Sequence, residues 1–385
     1  MPQLVNTFMI DYQLDYEPSE DQLTKSVIEP FERLSGAKFE LLFKNEVQGR
    51  ITLSFQSDNS NGKDIFILIR RYDKAGASEK TLVSITAEAP DYFDDIIDKT
   101  PGMDLEDTIK DALDKNFPDS EPTHYPAIKR CIPDSPYLRT CDDRLVEYGF
   151  TKVLYSARSE YQKIQIVDTV DFGRLLILDD MTNLAETDTL PYTHTLMNLP
   201  KENYEGKEVL ILGGGDGALM NELQKLDKPP KFVTMIDIDE MVMEACNEFM
   251  PTVCGPYLRK DNREGPTHKI IVGDAVAFLE NCLKENRAFD VIFGDLTDTP
   301  VSTSPLEDNV WEFIRSIISM GMKLIRPKTG KYLTHANGKT LQEAIDAYER
   351  MVTSINAGQC QFKRWESYVP SFSDTWRFYE LTNKD

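Results

Sequence analysis

Apolar residues in the first third of the chain repeat first at helical spacing and then at strand spacing. Ser19-Glu20-Asp21-Gln22 has the form of a capping box and begins a helical pattern that stops near Gly36. Three β-branched and aromatic runs, a second helix over 105–113 and a polar linker at 116–122 follow. Short connections favour antiparallel pairing, so residues 1–125 are predicted to form an α+β domain. The helical apolar positions are Leu23, Val27, Ile28 and Phe31, and the predicted strands are 51–55, 65–69 and 82–87.

The pattern changes twice beyond that linker. Residues 126–190 predict a small β-strand connector, in which 163–167 and 175–178 are joined through Asp171-Phe172-Gly173 as a hairpin. From Pro191 to the end, strands alternate with helices, which predicts a doubly wound, largely parallel, Rossmann-like α/β domain over 191–385. The predicted strands are 209–212, 232–236, 270–272 and 291–293, and the helices are 219–226, 241–249 and 275–283.

Composition limits the classes of partner. The chain has 385 residues and a formal net charge of -22, which disfavours nucleic acid and anionic lipid and attracts small cations. No apolar run approaches the roughly 20 residues of a membrane span, and no secretory signal is recognisable, so we expect a cytoplasmic protein. The six cysteines form no C-x-x-C pair and no zinc-like spacing with the four histidines, so no metal site is expected.

The first strand of the α/β domain ends in a glycine-rich turn, Gly213-Gly214-Gly215-Asp216-Gly217. Glycines allow the positive φ angles and the close backbone approach that a ligand-holding turn needs. The carboxylate of Asp216 inside this turn would repel a pyrophosphate but attract an amino or sulfonium group. The turn therefore predicts an adenosyl compound rather than a dinucleotide as ligand.

Acidic residues also follow the next three strands. The second strand ends in Asp237-Ile238-Asp239, where a carboxylate can accept both ribose hydroxyls, and Asp237 is the better candidate. After the third strand, Asp274 could accept the adenine amino group. Each of these acids could instead cap a helix N-terminus, which is a common role for Asp.

The fourth strand ends in Asp295 at the same predicted sheet edge. An amine nucleophile arrives protonated, because ammonium groups have pKa values near 10, and it must lose a proton before it attacks carbon. Asp295 and Asp216 together could hold such a cation, and Asp295 could take the proton. An S-adenosylmethionine methyltransferase shares this fold and its cofactor acids, and a non-catalytic polyamine-binding protein would share the cation site, so both alternatives stay open.

Several segments resemble the polyamine aminopropyltransferase family, and most closely its spermine-forming members. The resemblance runs from about residue 143 to the C-terminus, with weaker support from the first 125 residues. Its most specific element is Val301-Ser302-Thr303-Ser304-Pro305 with the acidic and aromatic residues that follow it. The other matching segments are 143–148, 161–162, 183–188, 210–217 and 295–297.

This resemblance implies transfer of an aminopropyl group from decarboxylated S-adenosylmethionine, a co-substrate, to spermidine, which gives spermine and methylthioadenosine. Formation of spermidine or thermospermine is the alternative within the family. The resemblance further implies that residues 1–125 are similar to adenosylmethionine decarboxylase and mediate a homodimer.

Individual roles carry over with the resemblance. Asp295 would be the base, Tyr192 would position the attacking nitrogen, and Asp374 and Trp376 would line the far end of the polyamine groove. Asp237 and Asp374 stand where the family usually has Glu, and His194 and His335 are expected to be structural. The residues implied to hold the adenosyl group are Gln162, Gly213, Gly215, Asp216, Asp237, Asp239 and Asp274, of which Asp216 would also face the donor's amine.

Overall fold

The structure is a computed structural model that describes residues 5–58, 64–73, 80–90, 97, 101–130, 135–296, 304 and 307–384. It divides into two compact units, residues 1–135 and residues 136–385. None of the helices within the described ranges is long and apolar enough to cross a membrane. The segment 301–303 and Pro305, which carry part of the family resemblance, lie outside the described residues.

Within its described residues, the first unit is a six-stranded antiparallel sheet packed against the helices Glu20–Ser35 and Leu105–Asp114. The predicted capping box is confirmed, because the Ser19 hydroxyl accepts a hydrogen bond from Gln22 N while the Gln22 side chain accepts one from Ser19 N. Gly36 ends this helix in the left-handed conformation. The sheet order is β2-β3-β4-β5-β1-β6, with β1 Val5–Leu14, β2 Phe39–Val47, β3 Arg50–Ser57, β4 Phe66–Tyr72, β5 Thr81–Pro90 and β6 Glu121–Arg130.

The polar linker predicted after the first domain differs from the structure. The linker predicted at 116–122 overlaps β6, which pairs with β1 and extends this unit to Ser135. β6 contains Pro122 and Pro126 and is mostly exposed, features that edge strands tolerate but that resemble a linker in sequence. Strands β1 and β2 were also absent from the prediction, and β2 is an exposed edge strand without an alternating apolar pattern.

The second unit begins with small antiparallel sheets. Strands β9 to β12 form a sheet of order β12-β11-β10-β9, and β7 pairs with β8. The predicted hairpin is confirmed, since β10 and β11 are antiparallel partners and Gly173 has a φ of 70° at the turn. The bounds are β7 Tyr137–Arg139, β8 Leu145–Glu147, β9 Phe150–Arg158, β10 Lys163–Thr169, β11 Gly173–Leu178 and β12 Met181–Ala185.

A seven-stranded mixed sheet with helices on both faces forms the rest of this unit, in the order β15-β14-β13-β16-β17-β19-β18. The first five of these strands are parallel, as predicted for an α/β domain, and β19 and β18 add an antiparallel edge. The strands are β13 Glu208–Gly213, β14 Phe232–Asp237, β15 His268–Val272, β16 Val291–Asp295, β17 Lys331–Gly338, β18 Cys360–Val369 and β19 Asp374–Asn383. The helices are Ala218–Gln224, Glu240–Phe249, Pro251–Cys254, Ala275–Lys284, Asp308–Leu324 and Gln342–Gly358, with shorter helical turns at Glu186–Asp188, Thr189–His194, Lys260–Asn262 and Pro370–Phe372.

Both faces of this sheet are buried. Val209 and Ile211 of β13 belong to one apolar core, whereas the alternate residues Leu210 and Leu212 belong to a second core on the other face. A strand with two buried faces reads as a continuous apolar run, which explains why β13 was recognisable in the sequence. The parallel strands leave their carboxyl ends along one edge, where ligands bind in open α/β sheets.

Candidate functional site

The glycine turn after β13 is packed directly against the end of β16. Gly213 pairs with Asp295 in register and has a φ of 83°. A Cβ atom at Gly213 would lie 2.1 Å from the carbonyl oxygen of Asp295, and the N–H of Gly214 donates to that same oxygen at 3.1 Å. Glycine is therefore required here both for its backbone angle and for space.

A cavity opens at this sheet edge, within the second unit. Its wall combines acids with aromatic and apolar side chains, and Arg139 is the single Lys or Arg among the described residues that line it. The lining residues predicted from the sequence are Gln162, Tyr192, Gly215, Asp216, Asp237, Asp295 and Trp376; others include Cys141, Met181, Val242, Leu296, His335, Asn337 and Phe372.

Tyr192 and Asp295 meet inside the cavity. The Tyr192 hydroxyl donates to Oδ1 of Asp295 at 2.7 Å. Tyr192 is buried in the π-helical turn Thr189–His194, and its ring makes edge contacts with Phe372 and Phe378. Burial and the negative charge of Asp295 raise the pKa of Tyr192 well above its ordinary value, so the phenol stays a hydrogen-bond donor.

The acidic residues that line the cavity have raised pKa values. Burial raises the pKa of Asp216, and the neighbouring Asp295 raises it further. Burial also raises the pKa of Asp295, and Asp237 adds to the rise while the Tyr192 hydrogen bond opposes it. A bound cation would stabilise the ionised carboxylates and reverse these shifts. Among the described residues, no group of three or more His, Cys, Asp or Glu is arranged to hold a metal ion.

Asp237 stands at the end of β14 with each carboxylate oxygen already engaged once. Its Oδ2 accepts from Gly215 N and its Oδ1 from Asp239 N, both at 2.9 Å. Burial raises the pKa of Asp237 to about 6, against these two backbone hydrogen bonds, which lower it. Each carboxylate oxygen can accept further hydrogen bonds, so Asp237 can still receive hydroxyl groups of a ligand in the cavity.

Asp239 reaches the cavity only through another residue. It is buried, and its Oδ2 accepts from Gln162 Nε2 at 3.0 Å and from Ser159 Oγ at 2.6 Å. Its Oδ1 caps the following helix by accepting from Met241 N at 3.1 Å. Asp239 is not among the lining residues, whereas Gln162 is, so Asp239 fixes the orientation of the Gln162 amide.

Two other predicted acids also have partners outside the cavity. Asp274 is exposed at the end of β15, where its Oδ1 accepts from Val276 N at 2.7 Å as a helix cap. Asp374 is buried, accepts from Thr340 Oγ1 at 2.6 Å and from Thr375 N at 2.6 Å, and is not among the lining residues. Its neighbour Trp376 does line the cavity.

His335 lines the cavity, although the sequence predicted a structural role for it. Its Nε2 lies 4.0 Å from Oδ1 of Asp295. His335 lies within β17, one position past the last residue of that strand that pairs with β16, as Asp295 lies one position past Gly294, which is that residue's partner. His194 lies elsewhere and contacts Glu222 Oε2 through Nε2 at 2.6 Å.

Comparison with known protein families matches most of the second unit to the family that its sequence motifs resemble. The family described as "Spermine/spermidine synthase domain" matches residues 189–385, and "Spermidine synthase tetramerisation domain" matches residues 137–186. A polyamine aminopropyltransferase from Pyrobaculum arsenaticum is 32% identical over 222 residues, covering 57% of this chain and 72% of the relative. A thermospermine synthase from Arabidopsis thaliana is 29% identical over 245 residues, covering 62% of this chain and 67% of the relative.

Solved structures support the fold. A spermidine synthase from Thermotoga maritima superposes with a TM-score of 0.52 at 18% identity, covering 65% of this chain and 79% of that chain. A spermidine synthase in complex with the transition state analogue AdoDATO gives the same TM-score at 19% identity, covering 65% of this chain and 80% of that chain.

Proposed function

Because this chain belongs to the spermine/spermidine synthase family of aminopropyltransferases, we propose that it uses decarboxylated S-adenosylmethionine to convert spermidine to spermine. The observation that carries this proposal is the pairing of Asp216 with Asp295 in one enclosed cavity. Polyamines are multiply protonated near neutral pH, so a bound polyamine would place positive charge beside these two carboxyl groups.

Asp295 and Tyr192 take part in the proposed chemical step. The ammonium of the acceptor gives one proton to Asp295, the free amine attacks the methylene beside the donor's sulfonium, and the C–S bond breaks with its electron pair on sulfur. The leaving group, methylthioadenosine, is neutral and needs no acid. Tyr192 holds Asp295 in place through its 2.7 Å hydrogen bond and so helps to position the attacking nitrogen.

The adenosyl part of the donor would occupy the wall built from β13 and β14. Asp237 would accept the ribose hydroxyls, Gln162 would contact the adenosyl group, and Asp216 would face the donor's amine. Asp239 supports this contact by holding the Gln162 amide. Phe372 and Trp376 pack against each other with ring centroids 4.7 Å apart, and together they would form one apolar wall along the methylene chain of the polyamine.

The test offers both possible donors and competing acceptors. Purified protein is incubated with decarboxylated S-adenosylmethionine or with S-adenosylmethionine, together with equal putrescine and spermidine. Products are identified by mass and by chromatography. The proposal expects spermine and methylthioadenosine from the decarboxylated donor only. A methylated polyamine would refute aminopropyl transfer. Spermidine as the main product would refute only the choice of acceptor, and thermospermine would refute only the nitrogen of spermidine that attacks.

We also propose that the N-terminal domain is similar to adenosylmethionine decarboxylase and that the chain forms a homodimer through it. The support is the α+β pattern of the sequence and, in the described part of this unit, the six-stranded sheet with the helices Glu20–Ser35 and Leu105–Asp114. The match of residues 137–186 to a tetramerisation family offers a different assembly. Sedimentation of the full chain and of a variant without residues 1–135 separates the two: loss of the first unit should give monomers, and a shortened chain that still assembles would contradict the proposal.

A further inference from the structure

His335 is the one histidine among the described residues that line the cavity, and the reaction proposed above leaves it without a task. Its position follows from strand pairing. Gly294 of β16 lies opposite Thr334 of β17 in parallel register, so the next residues, Asp295 and His335, are neighbours where the pairing of the two strands ends. One pair earlier, Phe293 and Leu333 pack in the same core, so Asp295 and His335 extend that face toward the cavity.

The tautomer of the imidazole depends on two contacts of its Nδ1 atom. Nδ1 lies 2.9 Å from the carbonyl oxygen of Ala336 and 3.3 Å from Nε1 of Trp376. The carbonyl can only accept and the indole N–H can only donate, so a neutral ring satisfies one of them at a time. The shorter contact favours a hydrogen on Nδ1. Nε2 then carries a lone pair, and it is the nitrogen that lies 4.0 Å from Oδ1 of Asp295.

The carboxyl group of Asp295 and two aromatic side chains lie around the imidazole. Asp295 faces the ring from β16, and the Tyr192 ring meets it edge-on at a centroid distance of 5.7 Å. From β19 the ring meets Trp376. The other titratable groups on the cavity wall are Asp216, Asp237, Cys141 and Arg139. Burial lowers the pKa of His335, so the imidazole is neutral near pH 7 and able to accept a proton.

We propose that Nε2 of His335 accepts the proton that Asp295 removes from the attacking ammonium, which makes His335 a second proton acceptor for aminopropyl transfer. This inference rests on the proposed function. In the step, the O–H bond of the protonated Asp295 breaks, an N–H bond forms on Nε2, and the proton later leaves to solvent as the products depart. The net reaction still releases one proton per transfer.

Transfer of the proton from Asp295 to His335 has a stabilising consequence at each of the two residues. Once its proton has moved to His335, Asp295 is again a carboxylate and can stabilise the secondary ammonium that forms on the product. The imidazolium gains an ion pair with Asp295 while its Nδ1–H keeps the bond to Ala336. The separation of 4.0 Å is longer than a hydrogen bond, and such catalytic contacts commonly shorten only when substrate is bound.

The experiment compares the wild-type chain with His335→Gln, a neutral side chain that still forms hydrogen bonds but does not titrate near pH 7. His268→Gln is the matched control, because His268 is also buried, contacts the Asn262 carbonyl through Nε2 at 2.7 Å, and does not line the cavity. We measure kcat with saturating decarboxylated S-adenosylmethionine and spermidine from about pH 7 to about pH 9.5, the affinity for methylthioadenosine, and the melting temperature of each variant.

We expect His335→Gln to lower kcat by about tenfold or more near pH 7.5, with methylthioadenosine affinity unchanged. The deficit should shrink toward pH 9.5, because the acceptor increasingly arrives without its extra proton. His268→Gln should keep the wild-type profile. Full activity of His335→Gln at pH 7.5, or a deficit of equal size at every pH, would overturn the inference. Absence of aminopropyl product from the wild-type chain would overturn the proposed function, and this inference with it.

Discussion

The hydroxyl of Tyr192 donates a 2.7 Å hydrogen bond to Oδ1 of Asp295, across 103 positions of sequence. This bond joins the π-helical turn Thr189–His194 to the carboxyl end of β16. It opposes the rise in the pKa of Asp295 that burial causes, so it favours the ionised carboxylate that a base requires. The pair therefore links the orientation of Asp295 to its protonation state.

Replacing Asp295 with Asn removes the proposed base and keeps the shape of the side chain. We expect kcat to fall by about 10²-fold or more, while methylthioadenosine affinity stays within about twofold. Steady-state kinetics and calorimetric titration measure the two quantities. Activity within about tenfold of wild type, some 1.4 kcal/mol of barrier, would mean that another group is the base.

Tyr192→Phe should shift the acid limb of the pH–rate profile to higher pH. The Tyr192 hydrogen bond lowers the pKa of Asp295, so its loss raises that pKa, and the base becomes protonated at a higher pH than in wild type. The matched control is Tyr204→Phe, a buried tyrosine whose hydroxyl donates to the Met197 carbonyl at 2.7 Å outside the cavity. An unshifted limb in Tyr192→Phe would show that this hydrogen bond does not tune the base.

Spermidine binding should release protons below neutral pH. Burial raises the pKa values of Asp216, Asp237 and Asp295 in the free protein, and a bound polycation lowers them again. Carboxyl groups that are partly protonated at pH 6 then ionise on binding, whereas at pH 8 they are already ionised. Calorimetry in two buffers of different ionisation enthalpy measures this release. Asp216→Asn should reduce it at pH 6, and equal release at pH 6 and pH 8 would contradict the expectation.

The same raised pKa values bear on stability. A carboxyl group whose folded-state pKa lies above its unfolded value stabilises the fold at low pH and loses that contribution as pH rises through the folded pKa. The ligand-free protein should therefore gain stability at pH 8 when Asp216 becomes Asn, at the expense of substrate binding. Thermal melts of both proteins at pH 5 and pH 8 measure this, and the difference should be larger at pH 8.

The parts of the site that the sequence predicted share one local cause. Asp237 and Asp295 are the last residues of β14 and β16, and Asp216 lies three residues beyond the end of β13. These strands are buried on both faces, so the apolar run and the acid appear together in the sequence. Parallel strand ends meet at one sheet edge, which turns three separate local patterns into a single site. The glycine turn carries a similar local signal, because Gly213 needs both its positive φ and its missing Cβ.

The remaining residues of the site are placed by contacts between residues that are far apart in the sequence, and a local sequence pattern does not predict such contacts. The partners of Asp239 and Asp374, namely Gln162 and Thr340, lie 77 and 34 positions away. His335 required recognition of β17 as the next parallel strand, and Tyr192 came from the family resemblance because a π-helical turn has no apolar period of its own.

Asp374 gives a prediction about stability rather than about acceptor choice. Its carboxylate accepts from the Thr340 hydroxyl at 2.6 Å and fills the space over Gly338, where a Cβ atom would lie 2.0 Å from its Oδ2. Asp374→Asn and Thr340→Val should both lower the melting temperature, by a few degrees, and leave the KM for spermidine within about threefold. A large rise in KM with an unchanged melting temperature in Asp374→Asn would place this side chain in contact with the polyamine.

Gly213→Ala tests whether the close contact between the glycine turn and Asp295 is needed for chemistry. The control is Gly206→Ala: both glycines have positive φ, 83° and 72°, but a Cβ atom at Gly206 meets nothing within 4 Å. Alanine at Gly206 should cost only about 1 kcal/mol of backbone strain and keep full activity.

Alanine at Gly213 adds a steric clash to the same backbone strain. Its Cβ atom would lie 2.1 Å from the Asp295 carbonyl oxygen and 3.1 Å from Leu296 Cδ2, so β13 and β16 must separate. We expect a larger loss of stability in denaturant unfolding and a fall in kcat of about 10²-fold, because small displacements of a base carry that penalty. Equal effects of the two substitutions would show that backbone strain alone, rather than the position of Asp295, explains the requirement for glycine.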